Sequence, residues 1–226
     1  MTPSGTLWLH VGTHKTGTTS IQRALRLKEA ALVAQGIALS PYEIAWQVAT
    51  LFLRGTLVTT PRLTGMCTLP RLPDYDAIAT RLRSSRGSCA DMILSSEEFC
   101  MLRDGLEAFA LRSFFRPMFA RIVPILATRD PAHWQASRAD QLRKSGTWEQ
   151  QKALPDAHSN DGPWYYDLAA IRRFWEAIGP VTLIDYDAAC ATEGDILPAF
   201  ARAIGQPGLF DELTPLRLNE RSTRSQ

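Results

Sequence analysis

Residues 12–19, with the sequence GTHKTGTT, combine the residue types that bind an anion. They follow a short apolar run, residues 7–11, and precede an amphipathic helical pattern, so they lie between a predicted strand and a predicted helix. This arrangement aims backbone N–H groups and a helix N-terminus at a negative charge. Lys15 adds a mobile positive charge, and Thr18 and Thr19 add hydroxyl donors at the first helical turn. The stretch is therefore predicted to hold a phosphate or a similar group.

The loop is close to a Walker A motif but places its lysine differently. Walker A has the pattern G-x-x-x-x-G-K-[ST]. Gly12, Gly17 and Thr19 fit this pattern, whereas Thr18 stands where the lysine is expected. Lys15 lies inside the loop and would approach a bound anion from the loop side. The two glycines allow the backbone to wrap closely around a ligand.

The same stretch, VGTHKTGTTS at residues 11–20, resembles the 5′-phosphosulfate loop of the sulfotransferases that use PAPS (3′-phosphoadenosine 5′-phosphosulfate). Its KTGTT core is especially similar to the carbohydrate and bacterial branches of that family. The alternative is a Gly/Thr turn before a helix, with Lys15 solvated. The resemblance implies that the 5′ end of the donor is bound by Gly12, Thr13, His14, Lys15, Thr16, Gly17, Thr18 and Thr19.

A second segment resembles the 3′-phosphate-binding part of the same family. An apolar strand, residues 121–128, runs into Arg129, and Asp130 and Pro131 have the residue types of a helix N-cap and first helical position. Ser137 follows two turns into the predicted helix. In the family an arginine and a serine in these places hold the 3′-phosphate, and the planar guanidinium can donate twice to one phosphate. The alternative is a surface arginine and a serine without a ligand.

Two separated positive segments suit a nucleotide that is phosphorylated at both its 3′ and 5′ positions. ATP has no 3′-phosphate for the second segment, so PAPS is the predicted donor and 3′,5′-ADP the predicted product. We hypothesise that Lys15 donates to the bridging oxygen as the S–O bond breaks. No cluster of His, Cys and acidic residues has metal-ligand spacing, and no metal is expected.

The catalytic base is predicted among acids at the ends of strands. Glu97 and Glu98 directly follow an apolar strand, residues 91–95, and ligands of open α/β sheets bind outside the carboxyl ends of the strands. Members of the family use either a histidine or a glutamate as base. Glu97 is our first candidate, and Glu98, Glu43 and His14 are alternatives. Glu97 could instead stabilise the first turn of a following helix.

Apolar runs alternate with helical patterns along the chain, which predicts a mostly parallel sheet covered on both faces. We expect one α/β domain over residues 1–226, a three-layer α/β/α fold with about five strands of the P-loop NTPase-like sulfotransferase type. Two polar segments without a clear period, residues 54–73 and 149–164, are predicted to be mobile loops that shape the acceptor pocket. The five predicted strands are residues 7–11, 36–41, 91–95, 121–128 and 180–186.

The composition is that of a soluble globular protein, with 45% hydrophobic and 21% charged residues in a chain of 226. The net charge of +2 is too small to indicate binding to nucleic acid or to an anionic membrane. The sequence shows no signal peptide and no run approaching the roughly 20 apolar residues of a membrane span. We therefore expect a cytoplasmic protein whose four cysteines are free thiols. Its predicted acceptor is a hydroxyl or amine of a carbohydrate or small molecule.

Two other functions remain open from the sequence. The strand-like run at residues 181–185 ends in Asp185 in the manner of a Walker B strand, which would suit a P-loop kinase or nucleotide hydrolase that binds Mg²⁺. A non-catalytic nucleotide-binding relative is the other alternative, because the basic loop that the family has near its C-terminus is not clearly present. Asn219, Arg221 and Ser222 either close over the donor phosphates or belong to a solvated tail.

Overall fold

A computed structural model describes residues 3–63, 72–159 and 161–213. Its centre is a five-stranded sheet in which every strand pair is parallel, in the order β2-β3-β1-β4-β5. This confirms the predicted α/β class. The strands are β1 (Thr6–His10), β2 (Ile37–Leu39), β3 (Asp91–Ser95), β4 (Arg121–Thr128) and β5 (Thr182–Asp185).

Helices cover both faces of this sheet, as the alternating sequence pattern predicts. Two short 3₁₀ helices, Glu97–Met101 and Pro163–Tyr166, add to the α-helices. The α-helices are α1 (Thr18–Leu27), α2 (Glu29–Ala34), α3 (Tyr42–Phe52), α4 (Thr60–Leu63), α5 (Leu72–Arg86), α6 (Gly105–Phe115), α7 (Pro131–Lys144), α8 (Trp148–Lys152), α9 (Leu168–Glu176), α10 (Tyr186–Glu193) and α11 (Leu197–Ala203).

The first strand lies at the centre of the sheet, between β3 and β4. Leu9 of β1 is in register with Leu94 of β3 and with Pro124 of β4. The carboxyl ends of β3, β1 and β4 therefore lie at the same edge of the sheet. Strands β2 and β3 lie on one side of β1, and β4 and β5 lie on the other. Such a switch point is where open α/β sheets bind ligands.

Side chains of β1 alternate between two cores because successive residues of a strand point to opposite faces. Leu7 and Leu9 belong to the core under α3, α5, α6 and α9. Trp8 packs against the other core, under α1, α2 and α11, and the His10 ring lies edge-on to Phe200 at 5.2 Å. Both faces of β1 are thus buried, and this packing fixes the position at which the loop after β1 leaves the sheet.

The two segments predicted to be loops contain regular structure. Residues 54–73 include α4, and residues 149–164 include most of α8, so the expectation of two irregular segments was wrong. The segments also contact each other, because Val58 forms a parallel β-bridge with Ser159. Residues 64–71 and 160 lie outside the described part of the chain, and the mobility of the two segments stays a prediction.

Three other helices differ from the sequence pattern. The first predicted helix is divided at Lys28, where α1 ends and α2 begins. The aromatic-rich run at residues 106–119 predicts one helix, but helix α6 ends at Phe115. Helix α10 was not predicted, although Asp185 caps it by accepting a hydrogen bond from the Ala188 backbone N–H at 2.9 Å.

Other expectations concern cysteines and membranes. Cys89, Cys100 and Cys190 are free thiols, and Cys67 lies outside the described residues. Among the helices of the described ranges, none is long and apolar enough to span a bilayer.

Candidate active site

The loop after β1 depends on two glycines with left-handed backbone. Gly12 has φ 36° and Gly17 has φ 78°. A Cβ on Gly12 would lie 3.2 Å from Thr18 Oγ1, and a Cβ on Gly17 would lie 3.0 Å from Ile196 Cγ2. Both positions therefore require glycine for the backbone conformation and for space. The beginning of the loop extends the sheet, since the Thr13 N–H donates to the Ala127 carbonyl at 2.9 Å.

Lys15 also has a left-handed backbone, with φ 71°, and it is the one non-glycine residue with positive φ in the described part of the chain. Its side chain is partly buried, and no carboxylate of the described residues forms an ion pair with it. Burial lowers the pKa of Lys15, and the positive charges of Lys144, Arg138 and Arg129 lower it further, against the opposing effect of Asp140. A strained residue that presents an unpaired cation is typical of a functional loop.

The threonines of the loop have different roles. The Thr16 hydroxyl donates to the Thr13 carbonyl at 2.6 Å, so it stabilises the turn. The hydroxyls of Thr13 and Thr18 are buried and have no hydrogen-bond partner among the described residues. Thr18 and Thr19 begin α1, where backbone N–H groups have no partner within the helix. The loop and the first turn of α1 therefore carry polar groups without a protein partner.

His14 points away from solvent into a polar cluster. Its Nδ1 lies 2.6 Å from the Tyr165 hydroxyl and 3.4 Å from Cys100 Sγ, and its Nε2 lies 3.8 Å from Glu98 Oε1. Burial alone would lower the pKa of His14, but Cys100 and the Glu98 carboxylate outweigh burial and the Arg138 charge and raise the pKa to about 9. His14 is therefore charged at neutral pH, which argues against it as the catalytic base.

His10, at the end of β1, is a core residue as its strand position predicts. It is fully buried, and its Nδ1 shares a hydrogen bond of 2.8 Å with the Ser95 hydroxyl. Burial lowers the pKa of His10 to about 3, so the ring is neutral at neutral pH.

The candidate bases Glu97 and Glu98 follow β3 in the first turn of a 3₁₀ helix, which Ser96 caps by accepting a hydrogen bond from the Glu98 N–H. Each glutamate has one buried carboxylate oxygen, Oε2, without a partner in the described residues. The pKa of the nearby Tyr42 is raised to about 12, first by burial and then by these two carboxylates. Glu43 is exposed in the first turn of α3. Both Glu97 and Glu98 thus lie at the edge of the sheet that carries the Lys15 loop.

A cavity of about 250 Å³ lies beside this edge, between α1 and the ends of β2 and β3. Thr19 of the loop–helix junction, Tyr42 of α3 and Ser95 of β3 contribute to its wall. The cavity therefore lies beside the first turn of α1 and the end of β3, whereas Glu97 and Glu98 are not among its lining residues.

Arg129 follows β4 and reaches the loop that follows β1. Its Nη1 donates to the Lys15 carbonyl at 3.0 Å, and its Nη2 donates to Asp187 Oδ1 at 3.1 Å. The guanidinium carbon lies 5.0 Å from the centre of the Tyr186 ring. The Arg129 Nε is buried and has no partner among the described residues. The structure thus places the Arg129 guanidinium against the backbone of the loop that carries Lys15.

Ser137 is partly buried on α7, two turns after the Asp130 N-cap. The Asp130 carboxylate accepts hydrogen bonds from the Ala132 and His133 backbone N–H groups, each at 3.0 Å, as its sequence position predicts. The described residues include no hydrogen-bond partner for the Ser137 hydroxyl, whose role stays a prediction. Asn219, Arg221 and Ser222 lie outside the described residues.

Three site residues were not predicted. Tyr165 and Cys100 hold His14, and Asp187 holds Arg129, yet no sequence motif marks them. Asp185, the residue suggested for Mg²⁺, is exposed and caps α10. Within the described ranges, no group of three or more His, Cys, Asp and Glu side chains is arranged to hold a metal ion.

Comparison with known proteins gives a match in structure. No protein-family model matches the sequence, and no curated protein matches it significantly. The crystal structure of a sulfotransferase from Alicyclobacillus acidocaldarius is similar to this chain with a TM-score of 0.58. The match covers 99% of this chain and 87% of the other at 14% sequence identity. The chain has a sulfotransferase-like fold. At this identity the likeness establishes the fold alone.

Proposed function

We propose that this protein is a sulfotransferase that transfers the sulfuryl group of PAPS to a hydroxyl or amine of a carbohydrate or small-molecule acceptor. The observation that carries the proposal is the contact between Arg129 and the Lys15 carbonyl. Because of it, the two segments predicted to bind opposite ends of the donor share one surface. A single nucleotide can then touch both segments.

Buried donors without partners support a ligand with phosphate at both ends. Buried polar groups in proteins are nearly always hydrogen-bonded, so those without a protein partner indicate a missing ligand or water. The Thr18 hydroxyl is such a donor at the loop, and the Arg129 Nε is another at the second segment. Phosphate oxygens would accept from both. We assign these two donors to the phosphates of a 3′,5′-bisphosphorylated adenosine, with the Lys15 and Arg129 cations beside them.

Lys15 is the residue proposed to assist the leaving group. PAPS supplies the sulfuryl group, and the other product is 3′,5′-ADP. Negative charge develops on the bridging oxygen as the S–O bond breaks, and a fixed cation beside that oxygen stabilises the transition state. The lowered pKa of Lys15 makes its ammonium a stronger acid, which suits donation to this oxygen.

Glu97 is the residue proposed to take the proton of the acceptor. It follows β3, which is adjacent to β1, and its buried Oε2 is free to accept a hydrogen bond. The neighbouring Glu98 already faces the charged His14. We place the acceptor group in the cavity beside Thr19 and Tyr42, where it would lie between the loop and Glu97.

Calorimetric titration of the purified protein with 3′,5′-ADP tests this proposal. The wild type is expected to bind 3′,5′-ADP, and Arg129→Ala is expected to weaken binding by about 10- to 100-fold, as for a lost charge-assisted contact. Arg173→Ala, which removes an exposed arginine of α9, is the control and should bind as the wild type does. A wild type that binds Mg-ATP but not 3′,5′-ADP would contradict the proposal and favour the kinase alternative.

A further inference from the structure

The Arg129 guanidinium already holds an anion, the carboxylate of Asp187. Asp187 Oδ1 accepts from Arg129 Nη2 at 3.1 Å, and its Oδ2 accepts from the Asp130 backbone N–H at 2.9 Å. The same Oδ2 lies 3.6 Å from His133 Nδ1. One carboxylate thus engages the guanidinium, a backbone N–H beside the start of α7 and a histidine, which together are the donors that a phosphate would use.

Asp187 is held in this place by its own helix. It lies in the first turn of α10, which the neighbouring Asp185 caps. Burial on its own would raise the pKa of Asp187, but the Asp130 N–H and the Arg129 guanidinium outweigh it and keep the pKa below its ordinary value. Asp187 is therefore ionised at neutral pH and carries a full negative charge beside the guanidinium of Arg129.

A carboxylate in this position would repel a phosphate but would accept a hydrogen bond from a hydroxyl. A phosphate would compete with Asp187 for the same N–H donors and would be repelled by its charge. A ribose hydroxyl can instead donate a hydrogen bond to a carboxylate oxygen. Nucleotide sites use these two devices, a carboxylate for a ribose hydroxyl and an arginine for a phosphate, to distinguish the two groups.

We propose that Asp187 is a specificity-determining residue that sets the preference of the site between a 3′-phosphate and a 3′-hydroxyl on the bound nucleotide. The inference rests on the proposed function, because it assumes that an adenosine nucleotide occupies the surface shared by Lys15 and Arg129. Asp187 competes with a 3′-phosphate for Arg129, so the site binds this phosphate less tightly than it would without the carboxylate. A 3′-phosphate binds at Arg129 only when Asp187 gives up its contact with Nη2 or when the phosphate uses the unpartnered Nε.

The test compares the binding of 3′,5′-ADP and of 5′-AMP by the full chain. Asp187→Asn removes the charge but keeps the shape and an oxygen that can accept from the Asp130 N–H. We expect this variant to bind 3′,5′-ADP about fivefold to tenfold more tightly than the wild type, with 5′-AMP binding unchanged or weaker. Asp185→Asn is the control, because it removes a charge two residues away, from a carboxylate that caps α10 rather than contacting Arg129, and should leave the ratio of the two affinities unchanged. Asp187→Ser is a second variant without the charge. It should also raise the affinity for 3′,5′-ADP relative to the affinity for 5′-AMP.

The outcomes separate this inference from the proposed function. If the wild type binds 3′,5′-ADP and the ratio of affinities does not rise in Asp187→Asn or Asp187→Ser, Asp187 merely orients Arg129 and the inference is wrong. If the wild type binds 5′-AMP alone and Asp187→Asn gains 3′,5′-ADP binding, the inference is supported while the use of PAPS is contradicted. If neither nucleotide binds to any variant, both proposals fail.

Discussion

Arg129 Nη1 donates a hydrogen bond of 3.0 Å to the backbone carbonyl of Lys15, across 114 positions of the sequence. The bond joins the segment after β4 to the loop after β1, and it fixes the carbonyl of a residue whose own backbone is left-handed. Arg129 therefore has two effects on the candidate site. It offers a cation to the ligand and it holds the loop that presents the Lys15 amine.

Replacing Lys15 by glutamine is expected to reduce sulfuryl transfer by about 100- to 1000-fold, because the cation beside the breaking bond is lost. The measurement is the release of 3′,5′-ADP from PAPS in the presence of an acceptor identified by a panel of carbohydrates and small amines and alcohols. Lys28→Gln is the matched control, since Lys28 forms an ion pair with Glu212 away from the loop. Equal rates in the two variants would contradict the role of Lys15.

Glu97→Gln and Glu98→Gln separate the two candidate bases with the same substitution at neighbouring positions. Glu97→Gln should lower kcat by about 100-fold or more, as for a lost general base, and should leave 3′,5′-ADP binding intact. Glu98→Gln should have a smaller effect on kcat and should lower the pKa of His14, because the Glu98 carboxylate raises it. The reverse order of the two kcat values would assign the base to Glu98.

The charge of His14 predicts a loss of stability in alkali. Its pKa of about 9 in the folded protein exceeds the ordinary value of 6.5, so the folded state holds a proton that the unfolded state releases. The stabilisation that the His14 charge contributes is fully present below pH 6.5 and is lost as the pH rises through about 9. The free energy of unfolding should fall by on the order of 2–3 kcal/mol across that interval.

Urea denaturation of wild type and His14→Gln between pH 6 and pH 9.5 measures this loss. The variant should have a flatter pH dependence, because the groups that face His14, namely Cys100, Glu98, Tyr165 and Arg138, no longer surround a titrating ring. His158→Gln changes an exposed histidine that forms no ion pair with the described residues, and it should keep the wild-type slope. An unchanged slope in His14→Gln would show that the ring is neutral in the folded protein.

Gly17→Ala is expected to destabilise the protein more than Gly36→Ala, although both glycines have nearly the same φ, 78° and 76°. A left-handed alanine costs about 1 kcal/mol at either position. At Gly17 the added Cβ would also lie 3.0 Å from Ile196 Cγ2, whereas nothing lies within 4 Å of a Cβ at Gly36. This overpacking is expected to increase the loss in the free energy of unfolding of Gly17→Ala by about 1–3 kcal/mol, which chemical denaturation measures. Equal losses would mean that α11 moves away from the loop at little cost.

Features encoded by adjacent residues could be predicted from the sequence. Strands β3 and β4 were predicted with the bounds that the structure gives them, because each is an apolar run with polar residues on both sides. Asp130 as N-cap and Pro131 as first helical residue follow from side-chain and backbone chemistry that acts within three positions. The buried, hydrogen-bonded His10 follows from its place in a central strand.

Contacts between distant positions could not be predicted in this way. Tyr165 meets His14 across 151 positions and Asp187 meets Arg129 across 58, and each pair depends on how strands and helices pack. Helix α10 carries its polar residues without an apolar period, so its pattern predicted no helix. The sequence therefore predicts which segments meet at the edge of the sheet, and the partners of each charged group come from the packing.

A crystal structure with 3′,5′-ADP bound tests the central claim most directly. The account predicts the 5′-phosphate within hydrogen-bond distance of Lys15 Nζ and the Thr18 hydroxyl, and the 3′-phosphate at the Arg129 guanidinium, with the Asp187 carboxylate displaced from Nη2. A nucleotide that binds at the loop with its ribose directed away from Arg129, or that binds elsewhere on the protein, would contradict it.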